Sequence, residues 1–382
     1  ATAESWEEDQ QVRDAAGELW RRPGRPELAE YLDSQKQALD ALGAAVQRER
    51  FYIPMLTEDG SGTTTSRPSL LSARIGNPSR LRNAGDALLA RAILRLGEGD
   101  QAGYLTDLTA ALRLARLMAQ QPSIMEYLVA RAADVDVLRT IDAAAASRNL
   151  DAANAGKLRT LTDAAPWPSP VHVLDGCERY LILDLLEAIS QGSTMAASGI
   201  PLTGKSLVPV HYDEALAEVN GFFDSYRAAF EIADFPQRQR RVEAVEAAIV
   251  TAGSTSGAAN FFYPHRALAA SLTPGWTSLS VLLADRDAEQ ALARAALQLR
   301  IFQGTHGAFP GMLADSGLSS QEQIDPFTDH PLIYRRDGRG YVLYSVGENL
   351  KDDGGKARPP VITSGPMASR PWDLVVRAVW SP

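Results

Sequence analysis

Residues 88–117 read LLARAILRLGEGDQAGYLTDLTAALRLARL, and the order within this stretch decides the fold class. Apolar residues return every three or four positions on both sides of Gly97-Glu98-Gly99-Asp100, which is the period of a half-buried helix. A turn this short between two such runs makes them antiparallel neighbours, because the chain has no length to travel elsewhere before the second helix begins.

The same grammar extends outward. Asn77-Pro78 is an N-cap followed by a first-turn proline and opens the first of these helices; the second starts near Ala102 and stops before Pro122. SIMEYLVARAADVDVLRTI, from Ser123, continues as a third helix. Earlier, Pro26 opens a run over 27–48 with Leu28, Leu32, Leu39, Leu42 and Val46 on one side, and later helices are expected over 171–191, 213–232 and 237–251. The 88–117 segment has the cadence of a tetratricopeptide-type unit, although no second copy recurs at a fixed period. The expected fold is therefore mainly α, built of antiparallel, tetratricopeptide-like helical hairpins.

Composition removes several function classes. The 382 residues carry 38 basic and 47 acidic side chains, a net charge of −9, so a nucleic-acid backbone is excluded as the expected partner. The single cysteine, Cys177, allows neither an internal disulfide nor a multi-cysteine zinc cluster. The least charged window, ALAASLTPGWTSLSVLLA over 267–284, is broken by Pro274-Gly275, and no transmembrane segment is expected. The Ala1-Thr2-Ala3 start looks like the remainder of a processed leader, which points to a periplasmic or secreted location with anchoring through a removed N-terminal segment.

Residues 199–206, GIPLTGKS, match the nucleotide-binding P-loop pattern. That loop works only between a buried strand and a helix whose N-terminus faces the phosphates, and Pro209 blocks the first turns of any following helix. No nucleotide is expected. His172, Cys177 and Glu178 do not share the i, i+4 face that a metal pair uses, and Cys177 reads as a core residue. The remaining histidines form no HxxxH or HExxH pattern, and no GxSxG elbow is present. One enzymatic alternative stays open, a periplasmic hydrolase with its site beneath the Gly192 to Pro209 loop, using His211 and Asp213.

After about residue 300 the pattern becomes β-like. LIYRR, a DGRG turn and YVLYSV make two alternating strands around a hairpin signal. With Gly307-Ala308-Phe309-Pro310 at the end of a long helix, Asp325-Pro326-Phe327, and Tyr344-Ser345-Val346-Gly347, the C-terminal part resembles the globular domain of the major pseudopilins of type II secretion systems. The whole chain also resembles exported proteins of planctomycete-like bacteria. The pseudopilin resemblance implies a small α+β module and a calcium site in the loop after Tyr-Ser-x-Gly. Carried over by motif, its ligands are the carbonyls of Leu343 and Ser345 and the carboxylates of Asp352, Asp353 and Asp373, with Glu348 as a further option. Hard oxygen donors on a glycine-rich loop suit calcium, which accepts roughly six to eight oxygens at loose geometry. Two departures stand beside the resemblance: a long helical region precedes the matching helix, and the stretch from Lys356 to Trp372 separates the loop from Asp373.

The expected organisation is an α-helical domain over 1–284 and a pseudopilin-like module over 285–382. No catalytic constellation is evident. The expected function is that of a non-catalytic exported scaffold or accessory subunit, with a protein partner in a membrane-associated complex.

Overall fold

The structure, a computed structural model, describes residues 3–57, 70, 73–74, 76–164, 166–191, 210–253, 264–357 and 372–379. The P-loop-like match at 199–206 and the loop from Gly192 to Pro209 lie outside the described residues, as does most of the stretch between the acidic loop and Asp373. The protein is mainly helical, with a small three-stranded antiparallel sheet near the C-terminus.

The helices are α1 (Ala3–Ala16), α2 (Pro26–Ser34), α3 (Lys36–Ala45), α4 (Pro78–Gly97), α5 (Gln101–Met118), α6 (Ile124–Ala146), α7 (Ala152–Asp163), α8 (Arg179–Ser190), α9 (Tyr212–Phe230), α10 (Phe235–Gly253), α11 (Pro264–Leu272) and α12 (Thr277–His306). Short polar side chains set their starts. Asn77 accepts from the Arg80 amide, Asp100 from Gly103, Ser123 from Glu126 and Asp151 from Asn154, each satisfying an amide that the first helical turn leaves without a partner. Two expected helices are interrupted. The 27–48 run divides between α2 and α3, with Gln35 at the joint, and a π-turn over Leu174–Glu178 precedes α8.

The stretch 88–117 folds as α4 and α5 packed along each other. Gly99 makes the turn in the left-handed region, at φ +90°, where glycine carries no side-chain penalty. A buried ion pair ties the two helices together: Arg91 reaches both oxygens of Asp107, at 2.9 and 2.7 Å. At Gly97 a Cβ would stand 2.0 Å from the Trp20 carbonyl oxygen, so only glycine lets the segment after α1 lie against α4.

Helix α12 organises the rest. It packs on α6, α7 and α10 and reaches the C-terminal sheet. One hydrophobic cluster runs from Leu88, Tyr104 and Leu138 through Leu292 and Leu297 to Phe327, Tyr341 and Leu374. Position 284/285 therefore lies inside α12, with core residues of that one cluster on both sides. A smaller cluster, including Ile182, Leu186, Phe223 and Leu268, holds α8, α9 and α11 together. By length and apolar composition alone the helical stretch Pro264–His306 passes as a membrane span, with half of its most apolar window buried inside the protein. Core helices pass the same test.

Between α6 and α12 runs a seam of charge. Arg286 donates from Nε to Asp134 at 2.8 Å and stacks over the Trp167 ring at 5.3 Å. Arg139 donates twice to Oε1 of Glu289, at 2.9 and 2.7 Å, and Arg131 pairs with Asp285. Nearby, Arg82 holds Asp136 at 2.8 Å while Asp86, buried and beside Asp136, is pushed up to about 6. Burial is the main cause of that shift, since it penalises the charged form.

The short strands β1 (Leu56–Thr57) and β2 (Ala73–Arg74) pair with each other. The C-terminal sheet has the order β3 (Ile333–Asp337), β4 (Gly340–Ser345), β5 (Leu374–Ala378), antiparallel throughout, with Arg336 opposite Tyr341 and Leu343 opposite Val376. The DGRG signal makes the β3–β4 hairpin. Every residue of β4 is buried, as a central strand covered on both faces requires.

Candidate functional site

The acidic loop after β4 and the residue before β5 do meet. Asp373 is fully buried, and its carboxylate accepts from the amides of Gly355 (2.7 Å), Lys356 (3.2 Å) and Asp353 (3.4 Å). Gly354 and Gly355 both adopt positive φ, +75° and +76°, the backbone shape that turns these amides inward. Burial pushes Asp373 above the usual carboxylate range, against the opposing pull of its amide donors. One oxygen of Asp352 accepts from the Tyr344 hydroxyl (2.9 Å) and the Gly354 amide (2.8 Å). Burial, reinforced by Asp352, raises the Tyr344 phenol to about 12. Asp353 accepts from the Asn349 side chain at 2.8 Å.

The other residues carried over by motif are placed differently. Leu343 lies in the middle of the central strand, so its carbonyl faces a neighbouring strand rather than the loop. The Ser345 hydroxyl donates to Asp325 at 2.8 Å and accepts from the Gly347 amide at 3.2 Å. Glu348 is half-buried at the turn that follows. Among the described residues no group of three or more His, Cys, Asp or Glu is arranged to hold a metal ion. As placed, the carboxylates of Asp352, Asp353 and Asp373 serve hydrogen bonds that fold the loop.

Asp325 belongs to the same architecture, although the sequence marks it only as part of a turn. Its buried carboxylate accepts from the Phe327 amide (3.0 Å), the Ser345 hydroxyl (2.8 Å) and the Val346 amide (3.0 Å). It thereby clamps the Asp-Pro-Phe turn to the end of β4.

Asp213 lines a cavity of about 600 Å3 with Asp184, Glu187, Tyr180 and Tyr212, between α8 and α9. His211 is exposed and outside that lining, so the His211 and Asp213 pair does not share it. Cys177 is buried, with its thiol raised to about 11 mainly by burial, and Glu178 accepts from the Ile124 amide at 3.0 Å. Both have structural positions.

A second cavity, also of about 600 Å3, opens between the end of α1, α6, α12 and β5. No protein-family model, curated protein or solved structure matches this chain. What the cavity can do rests on its lining. Arg139 and Glu289 face it as an ion pair, Arg377 and Asp373 come from the β5 side, and Asp142 comes from α6. Asp142 is only 8% exposed, and its Oδ1 has no hydrogen-bond partner. Burial, helped by the negative charge of Glu289, lifts its carboxyl well above the ordinary range. Nothing in the α6 sequence marks Asp142 in advance, because its neighbours arrive from elements far along the chain.

At the outer edge of the sheet, Arg335, Arg336 and Asp337 of β3 and Arg339 of the hairpin turn are exposed. No described strand pairs with that edge of β3. An edge strand of this kind offers a row of backbone donors and acceptors for another chain.

Proposed function

We propose that this chain is a non-catalytic exported scaffold that docks on a membrane-associated assembly in the periplasm. Its frame is a set of tetratricopeptide-like helical hairpins, and its contact surface is the pseudopilin-like C-terminal module. The observation that carries the reading is the β3 edge, where exposed arginines line a strand that no described strand pairs on its outer side, on a protein whose net charge is negative. An acidic extended segment of the partner fits there, because main-chain pairing supplies attachment and the arginines supply selectivity. Much of the buried charge in the α6 and α12 seam is already committed to internal pairs, which fits a frame better than reaction chemistry.

The test is isolation of the tagged chain from the detergent-solubilised envelope of its own cells, followed by sizing. The wild type should elute as a stable complex, and Arg335→Glu, Arg336→Glu and Arg339→Glu together should release it as a monomer. A wild type that elutes alone, or a triple variant that stays in the complex, would sink the reading. Calcium in the loop spanning Leu343, Ser345, Glu348, Asp352 and Asp353, closed by Asp373, belongs to the same proposal. It would exchange the loop's hydrogen bonds for ion contacts and stabilise the folded state by mass action; a thermal midpoint indifferent to added calcium and to chelator rules it out.

A further inference from the structure

We propose that the cavity between α6, α12 and β5 is a binding site for a small organic cation, whose ammonium group pairs with Asp142. This site stands on geometry and is independent of the scaffold reading. Asp142 is more than nine-tenths buried, lines the cavity and leaves Oδ1 without a partner. A buried oxygen in that condition is costly unless something supplies a donor. Two further buried groups stand close enough to feel its charge: the hydroxyls of Tyr104 on α5 and Tyr341 on β4, both without partners. A primary ammonium carries three donors and no acceptor, which suits a cavity-lining carboxylate whose Oδ1 receives no hydrogen bond from the protein; the two phenols do not line the cavity and act on Asp142 from behind it.

The charges around the cavity favour a cation over an anion. Glu18 after α1, Glu289 on α12, Asp373 before β5 and Asp142 itself are acidic; Arg139 on α6 and Arg377 on β5 are basic. Arg139 is engaged by Glu289, and Arg377 donates to the Gly355 carbonyl. With both cations occupied, the free valence belongs to Asp142. The volume, about 600 Å3, lies in the range of roughly 300–1,000 Å3 typical of small-molecule sites.

At a pH where burial keeps Asp142 protonated, binding would convert its carboxyl into a carboxylate–ammonium pair, with the carboxyl proton passing to solvent. Because the folded pKa of Asp142 lies above its unfolded value, the folded chain holds a proton that the unfolded chain has lost, and stability falls as pH rises through that window. Ammonium binding opposes this fall. Its affinity should therefore rise with pH as Asp142 ionises.

Calorimetry of the full chain with putrescine, with butanediol as the uncharged control, tests the proposal. The expected result is saturable binding of putrescine with proton release, seen as a heat that depends on the buffer, and no binding of butanediol. Asp142→Asn should bind putrescine at least tenfold more weakly while having a thermal midpoint no lower than that of the wild type. Absence of putrescine binding would leave the cavity to water and overturn the proposal, and so would equal binding of butanediol. An Asp142→Asn variant that binds as well as the wild type, or one that is less stable or unfolded, would show that the carboxyl serves something other than a cation.

Discussion

Replacement of Arg286 by methionine is expected to cost about 3–5 kcal/mol of folding free energy, whereas the double replacement Arg286→Met with Asp134→Leu is expected to cost much less. Asp134 has no exposed surface, and its Oδ2 accepts from Arg286 Nε at 2.8 Å while Oδ1 has no partner at all. Removing only the arginine leaves a carboxylate with no hydrogen-bond partner in a site that water does not reach, with Arg116 as the remaining cation close enough to feel its charge. Removing both exchanges a desolvated pair for apolar packing, which such sites often accept at little cost. Arg286 also donates to Asp287 and Gln290 and stacks on Trp167, so the double variant keeps a residual loss from those contacts. Urea denaturation of the two single variants and the double variant measures the coupling. If the Arg286 variant loses under about 1 kcal/mol, or if the double variant loses the sum of the two singles, the pair is not the unit described.

The helices were legible because their punctuation is local. Asn77-Pro78, Ser123, Gly99 and the Pro26 start each act within one turn of the residues they organise, so a period and a cap suffice to find them. The C-terminal hairpin was legible for the same reason, since Asp337-Gly338-Arg339-Gly340 sits between two alternating runs. The charge seam was not. In DVDVLRT and ADRDAEQ a charged side chain reads as a solvated face, yet the partners of Asp134 and Arg131 lie more than a hundred residues away on α12. Periodicity cannot distinguish a charge that faces water from one that faces a complementary helix. Within the loop, motif transfer pointed to Asp373 as a partner of the acidic loop; that its carboxylate accepts the amides of Asp353, Gly355 and Lys356 has no mark in the sequence, because that contact depends on how the chain returns at β5. Asp142 was invisible because its significance comes from an absent partner, and an absence has no sequence signature.

The second large effect is expected at Asp325, where alanine should cost about 3–5 kcal/mol and asparagine distinctly less. The carboxylate is 2% exposed and satisfies three donors that have no other described partner within reach: the amides of Phe327 and Val346 and the hydroxyl of Ser345. Each buried donor left unmet costs roughly 1–3 kcal/mol, offset in part where water enters the vacated space. The loss should be cooperative, because two of those donors lie at the end of β4 and the third holds Phe327, whose ring packs edge-on against Phe235 of α10 at 5.2 Å between centroids. Freeing the turn therefore loosens the contact between the sheet module and the helical layers, not the turn alone. Asparagine keeps one carbonyl oxygen, enough for Ser345 and Phe327 at the position of Oδ1, and places an N–H group opposite the Val346 amide. The ordering alanine, then asparagine, then wild type in denaturant midpoint, with amide exchange quickening first at Phe327, Val346 and Gly347, is the expected signature. An alanine variant that matches the asparagine variant in both midpoint and exchange would mean that the clamp is carried by Pro326 and the Phe327 ring instead of by the carboxylate.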